Sequence, residues 1–450
     1  MFELLERVAG EEPGRAAVVT HTVSRSYGEL LADARRVAAA LTREGVGRLA
    51  VVDHEAPFVV PLLAGAALAG VEVTQYPPVE PDEVRDLLAR LGHDVLVTDR
   101  ADLSGLGARV LATHELLATD PAPSGPLPVD RPHLVLTTGT TGAPRGVRHD
   151  WSRLVRGTSR VAPAPGQRWL LAYGLHQFAG LQVLLHVLAA GATLVAPAPR
   201  RPREGLAAMR ELGVTHASAT PTYWRFLVAE MRSDGGPVPA LRQVTLGGEA
   251  VPGPLLDVVR STFAGASVSQ VYAASEFGST GSMRDGRPGL SVDVLDRGDD
   301  ADVDMRVVDG ELWIRSRTGM LGYHGEPPVD ADGWRATGDL VEVDGDRVLF
   351  RGRTSEIINV GGVKVHPLPI EERVAAVPGV DMARVHGRPN AMTGAIVALE
   401  VVPSRGVDLE ALRSDLRSAC ADLPAAARPR SIRFVDTVDT TGSKIVRSHA

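Results

Sequence analysis

Cysteine is nearly missing: Cys420 is the single one in 450 residues. An intrachain disulfide and a cysteine-based metal cluster are therefore excluded. Positive charge is not in excess either, since 48 basic residues face 55 acidic ones for a net charge of -7 at pH 7. A nucleic-acid partner, which needs a concentrated basic surface, is not indicated. The start, Met1-Phe-Glu-Leu-Leu-Glu-Arg7, has neither the basic opening nor the long apolar centre of a secretory signal. Long hydrophobic runs are also absent. The longest, Phe58 to Val71, is too short to span a bilayer and contains Pro61. A cytoplasmic protein with no membrane partner is the expectation. No internal repeat or low-complexity tract stands out.

What is present is ordinary globular material, 44% hydrophobic and 23% charged. The chain is long for one core, and about two to four domains are expected. Ser26 to Leu41 places apolar residues at helical spacing, and Ser26 with Glu29 fits a capping box. Leu49 to Val52 and Asp94 to Val97 read as strands around a buried helix at Val59 to Ala69. Ala192 to Val195 and Gln243 to Leu246 are further strand candidates behind helical segments. Alternating strands and helices predict an α/β fold with a mostly parallel sheet covered on both faces. From about residue 290 the texture changes to short strands. Hairpins are predicted at Asp344-Gly345 and at Gly361-Gly362. A helix (Ile370 to Ala376), a strand (Ala395 to Val402), a helix (Asp408 to Leu423) and a last strand (Ile432 to Val435) follow. A domain boundary is placed near Arg351 to Ser355, with a small α+β domain behind it.

The most informative stretch is His133 to Val147. The apolar run Leu134 to Leu136 reads as a buried strand, and it leads into Thr137-Thr-Gly-Thr-Thr-Gly142, Pro144, Arg145 and Gly146. Glycines allow tight turns and close backbone approach, hydroxyls and N–H groups donate, and one cation supplies charge. That is chemistry for holding phosphate, although the spacing is not that of a Walker loop. Alone, the stretch could equally be a polar loop after a strand.

Further stretches follow in order: Val271-Tyr-Ala-Ala-Ser-Glu-Phe-Gly278, Gly333-Trp-Arg-Ala-Thr-Gly-Asp-Leu340, Arg351-Gly-Arg-Thr-Ser-Glu-Ile-Ile-Asn359 and Thr440-Thr-Gly-Ser-Lys-Ile-Val-Arg447. With the opening loop, this series resembles the adenylate-forming superfamily of acyl-CoA synthetases, peptide-synthetase adenylation domains and luciferase. The resemblance runs from Ser26-Tyr-Gly-Glu-Leu30 to Lys444. It implies a large N-terminal domain, residues 1–352, of mostly parallel sheets flanked by helices plus a small distorted β-barrel region. A small mobile α+β domain, residues 353–450, would follow and carry the catalytic lysine.

The chemistry implied is attack of a carboxylate on the α-phosphate of ATP, release of pyrophosphate, and capture of the acyl-AMP, usually by a thiol. Such phosphoryl chemistry rests on positioning and charge stabilisation. By resemblance, Thr137, Thr138, Gly139, Thr140, Thr141 and Gly142 form the phosphate-binding loop. Arg145 stands where lysine is usual, keeping the charge and adding bidentate capacity. Gly248, Tyr272 (against adenine), Ser275, Asp339 and Arg353 (both toward the ribose) complete the ATP site. Glu276 would carry Mg²⁺, although taken alone it reads as a solvated surface residue. Lys444 resembles the catalytic lysine that bridges carboxylate and α-phosphate. Ser355 takes the hinge position, where Asp or Lys is usual.

His176 resembles the residue that borders the carboxylate and gates the acyl pocket. Tyr223, Gly247, Ala273 and Ala274 would line that pocket and admit a flat aryl ring or a short to medium chain. By the same resemblance, peptide-synthetase domains that take α-amino acids usually place an aspartate in this region to hold the ammonium. None lies between Tyr173 and Leu185, and a buried ammonium without a partner is costly. An acid without an α-amino group is expected. Gly361-Gly362 resembles the turn beside a pantetheine arm, which favours CoA or a free-standing carrier protein's phosphopantetheine as co-substrate. The motifs do not separate a thiol acceptor from an amine, because they serve the shared first half-reaction. A nucleotide binder without catalysis is a third reading, motivated by Arg145, Ser355 and the inverted Gly442-Ser443 before Lys444.

Overall fold

The structure is a computed structural model that describes residues 1–123, 125–137, 144–441 and 444–447, leaving aside the side chains of Thr441 and Lys444. The phosphate-loop expectations at Thr138, Gly139, Thr140, Thr141 and Gly142 therefore lie outside the described residues, as do Gly442 and Ser443.

Two large sheets dominate the N-terminal part. One has eight strands, ordered 278–283, 267–274, 243–247, 216–219, 168–171, 193–195, 16–19 and 24–26. Its pairings are parallel except at the two edges. The other has seven, ordered 322–323, 145–150, 132–137, 72–75, 48–51, 95–97 and 109–111. It is parallel from Pro132–Thr137 onward and antiparallel where Arg145–Asp150 folds back. The apolar run at Leu134 to Leu136 is thus a buried strand next to the sheet's fold-back.

Helices Tyr27–Arg43, Ala56–Ala69 and Phe178–Ala190 supply much of the largest core. The Ser26 hydroxyl accepts from the Glu29 N–H, and Glu29 accepts from the Ser26 N–H at 2.7 Å, so the capping box is complete. Ala56–Ala69 is apolar all round and lies buried, as such a helix must. A Cβ at Gly65 would meet the Ala34 carbonyl at 2.4 Å, so the two helices approach closely only because that residue is glycine.

A five-stranded antiparallel sheet follows, ordered 290–291, 347–353, 335–344, 311–316 and 303–308. An isolated bridge from Leu295 to Met305 brings the chain just beyond the first edge against the last strand. The sheet therefore curls toward the distorted barrel that the resemblance implied. Its hairpin turns at Gly345-Asp346, one residue later than predicted, because Asp344 pairs with Arg347. Behind it, strands 363–365, 358–360, 394–403 and 380–390 form the last large sheet, with 431–434 parallel to 394–403. Helices Pro367–Ala375 and Leu409–Ala419 cover it. Among the described residues no helix is long and apolar enough to cross a membrane.

Candidate functional site

Strand Ser267–Ala274, at the parallel sheet's end, turns through Ser275 and Glu276 into Gly278–Met283. Tyr272 faces the five-stranded sheet and packs on Phe350 with ring centroids 4.9 Å apart. Its hydroxyl donates to Asp339 Oδ2 at 2.5 Å, and Arg353 Nε donates to Asp339 Oδ1 at 2.8 Å. Asp339 and Arg353 are directly opposed in the antiparallel pair 335–344 and 347–353, the arrangement in which cross-strand charges meet. Burial and the Asp339 charge hold the Tyr272 phenol well above its usual range. Asp339 raises the Arg353 guanidinium in turn. Three residues expected around a nucleoside are thus brought together by strand register.

Glu276 sits in the adjacent turn. Its carbonyl accepts from the Met320 N–H at 3.1 Å and from Arg335 Nη2 at 3.3 Å, which fixes the turn. Its Oε1 accepts from the Tyr323 hydroxyl at 3.2 Å. The guanidinium of Arg145 lies 3.4 Å from the centre of the Tyr323 ring and pairs with Glu326. Burial, reinforced by Glu276, pushes the Tyr323 phenol up to about 12. The start of strand Arg145–Asp150 and the Glu276 turn therefore share one tyrosine. Thr137, on the near side, pairs with Arg145 across the fold-back, and its hydroxyl donates to the Arg145 carbonyl at 3.3 Å. Among the described residues no three His, Cys, Asp or Glu side chains cluster as a metal cage. A lone hard carboxylate suits Mg²⁺, which takes one or two carboxylates plus phosphate oxygens.

His176 precedes helix Phe178–Ala190 and is half-buried, with its pKa lowered to about 4 by desolvation and, secondarily, by Arg200. It is a neutral imidazole near pH 7. A Cβ at Gly174 would come within 2.2 Å of His176 Cε1, so the ring lies on a glycine. The Tyr173 hydroxyl donates to the Gly247 carbonyl at 3.3 Å, linking this loop to the Gly247-Gly248 segment. Gly248 has φ +85°, and a Cβ at Gly247 would meet the Val271 carbonyl at 3.0 Å. Ala273 and Ala274 are half-buried on the neighbouring strand.

Tyr223 requires a correction. It was expected to line the acid pocket, but it is buried in the core beneath helix Pro202–Glu211, with its hydroxyl 3.4 Å from the Arg201 carbonyl. A Cβ at Gly205 would strike that hydroxyl at 2.0 Å. The helical phase of Pro221–Asp234 turns this side chain inward beside Trp224.

Ser355 is exposed in the short 3-10 turn Thr354–Glu356 between strands Arg347–Arg353 and Ile358–Val360. Gly361 and Gly362, at φ +60° and +87°, make the predicted hairpin turn. A groove beside it is lined by Ser355, Asn359, Gly362, Pro389 and Thr393. Lys444 begins the short strand Lys444–Ile445, paired with Thr440–Thr441. The next N–H, that of Ile445, donates to Glu249 Oε1 at 3.0 Å. The strand that carries Lys444 thus touches the segment containing Gly247 and Gly248.

Tyr173, Gly174, Tyr323, Phe350 and Arg447 were not singled out from the sequence for this site. Gly174 and Tyr173 stand beside the His176 run and were within reach of it. Tyr323, in Gly322-Tyr323-His324, lies outside every motif, and only the pairing of 322–323 with 145–150 brings it here.

The sequence pattern of the AMP-binding enzymes matches residues 5–324, and that of the AMP-binding enzyme C-terminal domain matches residues 369–444. The chain is 27% identical to a fatty acid–[acyl-carrier-protein] ligase of Mycobacterium marinum, over 99% of this chain and 96% of that protein. It is 28% identical to a feruloyl-CoA synthase of an Amycolatopsis species, over 97% and 95%. Its fold is shared with an anthranilate CoA ligase solved in complex with anthranoyl-AMP, at a TM-score of 0.85 and 21% identity, covering 99% of this chain and 95% of the other. With one family pattern spanning well over half of its length and the companion pattern following in order, the chain belongs to the AMP-binding enzymes, the adenylate-forming superfamily.

Proposed function

We propose that this enzyme activates a carboxylic acid as its acyl-AMP, releasing pyrophosphate, and then transfers the acyl group to a thiol. The observation that carries the reading is that segments remote in the chain come together twice. Asp339 is held between Tyr272 and Arg353, while the strand bearing Lys444 is hydrogen-bonded to Glu249 beside Gly247-Gly248.

In this reading Asp339 accepts the ribose hydroxyls, and Arg353, held by Asp339, lies beside the same sugar. Tyr272, with Phe350 at its back, offers the flat surface for adenine. Thr137, the loop through Thr138, Gly139, Thr140, Thr141 and Gly142, and Arg145 hold the β- and γ-phosphates, with Ser275 and Gly248 closing the site. Glu276, oriented by Tyr323, would hold Mg²⁺, which neutralises phosphate charge when bound. Lys444 bridges the attacking carboxylate and the α-phosphate. Such fixed donors and charges stabilise the transition state without reorganising. Residues 1–352 would act as the nucleotide and acid domain and 353–450 as the lid, pivoting at Ser355.

For the acid, the half-buried, neutral His176 borders the carboxylate, and Gly247, Ala273 and Ala274 leave room for an aryl ring or a short to medium chain. The charge of Glu249 reaches Tyr173, but both its oxygens are committed to backbone N–H groups, so it is a poor partner for an ammonium. Relatives named for fatty acids and for ferulate support both acid types and exclude neither. The same names support CoA or a carrier protein's phosphopantetheine as the thiol. The test incubates the enzyme with ATP, Mg²⁺ and a panel of aryl and alkyl acids, adding CoA, a holo-carrier protein or an amine, and analyses the products by mass. Acyl thioester from at least one acid is expected. Amide alone, or nucleotide binding without any acyl product, overturns the reading.

A further inference from the structure

Glu249 belongs to the Gly247-Gly248-Glu249-Ala250 stretch, yet the reading above gives its carboxylate no task. Its Oε2 accepts from the Thr222 N–H at 3.0 Å, in the first turn of helix Pro221–Asp234. Its Oε1 accepts from the Ile445 N–H at 3.0 Å. One carboxylate therefore ties the helix to the residue next to Lys444. An anion suits a helix start, where N–H groups lack partners within the helix.

The tail is held on its other side as well. Ile445 is buried with Met382 and Val438 from the C-terminal part, against Phe226 of the same helix. Arg447 donates to both oxygens of Glu371, at 2.8 to 2.9 Å, and lies 3.5 Å from Glu356. Glu371 also accepts from the Val385 N–H at 2.8 Å. Arg447 thus fastens the tail to the C-terminal sheet and its helix, whereas Glu249 fastens it to the N-terminal part.

We propose that Glu249 is a positioning residue for adenylation: it docks the Lys444–Ile445 strand at the acid site and releases it for thiol transfer. This rests on the role proposed for Lys444. A contact that holds the Lys444–Ile445 strand against the acid site in one pose stabilises only the half-reaction run in that pose. A carboxylate is required because two N–H donors converge on it. Glutamine presents one oxygen and an NH₂ group, so one backbone N–H would face a donor.

The test compares Glu249→Gln and Glu249→Ala with the parent, using the acid that best supports acid-dependent ATP–pyrophosphate exchange. Thiol transfer is read separately, from synthetic acyl-AMP of that acid to pantetheine. Exchange should fall roughly 10- to 100-fold in both variants, the range for losing a hydrogen bond to a charged group. Transfer from the synthetic adenylate should stay at the parent rate. Arg405→Ala, which removes an exposed contact to Ser233 also joining the two parts, should leave both rates unchanged. A parent that shows no exchange refutes the reading of the enzyme itself. A parent that exchanges alongside a Glu249→Gln variant that exchanges equally well refutes the docking role alone. Parallel loss of both half-reactions in a Glu249→Gln variant of unchanged thermal midpoint also refutes it, because it marks a general structural effect.

Discussion

Arg145 shows how one side chain can link two expected sites. It stacks on Tyr323, pairs with Glu326, and through the Tyr323 hydroxyl stands one contact from Glu276. Arg145→Ala should raise the KM for ATP by about 10-fold or more, on the scale of losing a charge-assisted contact. Arg145→Lys should retain most activity, because a cation remains in reach of phosphate. Equal loss in both, measured by exchange at varied ATP, means that the planar guanidinium over Tyr323 is itself required. Gly174 gives a second test at this scale. Gly174→Ala would drive a methyl into His176, so the KM for the acid should rise while the KM for ATP holds. Parallel changes in both would detach His176 from the acid. At single residues the motifs picked out Tyr272, Asp339 and Arg353, which the structure brings into contact, and gave no sign of others beside them. Asp339 and Arg353 stand in motifs, but Tyr323 reaches the site only through strand pairing. Tyr223 was misplaced because a spacing in a motif does not tell which face of its helix turns inward.

Among elements, local rules were read well. The capping box at Ser26, the hairpin at Gly361-Gly362 and the alternation of strands and helices all follow from short-range geometry. Strand Val380–Asn390 was missed because Arg384, Gly387 and Pro389 break an apolar alternation. Arg384 is nonetheless buried, opposite Glu400 in register and within 3.2 Å of it, and such long-range pairing leaves no local signature. Helix Leu409–Ala419 ends four residues before the predicted Leu423, at Cys420 and ahead of Pro424. In the proposed function, alternation between half-reactions would pivot at the 3-10 turn Thr354–Glu356. Proline fixes φ and restricts the residue before it, so Ser355→Pro should stiffen the turn. Transfer from synthetic acyl-AMP to pantetheine should slow markedly in this variant, and a rate equal to the parent's removes Ser355 as the pivot.

At the scale of the whole molecule, buried histidines set the response to acid. Burial lowers His93 and His149 to about 4 and His133 to about 3. Between pH 6.5 and those values the unfolded chain binds protons that the native state does not, so stability falls as pH falls. It is fully present above pH 6.5. Each such histidine contributes a slope of about 1.4 kcal/mol per pH unit within that window. Urea midpoints should therefore drop between pH 7.5 and pH 5, above the range where most carboxylates titrate, and equal midpoints would contradict this. The central claim concerns the assembly of two remote segments into one adenylating site. Acid-dependent ATP–pyrophosphate exchange, measured for the parent and for Lys444→Ala, tests it most directly. The account predicts exchange with at least one aryl or alkyl acid, none without acid, and its loss in the variant. Exchange in Lys444→Ala equal to the parent's would contradict it.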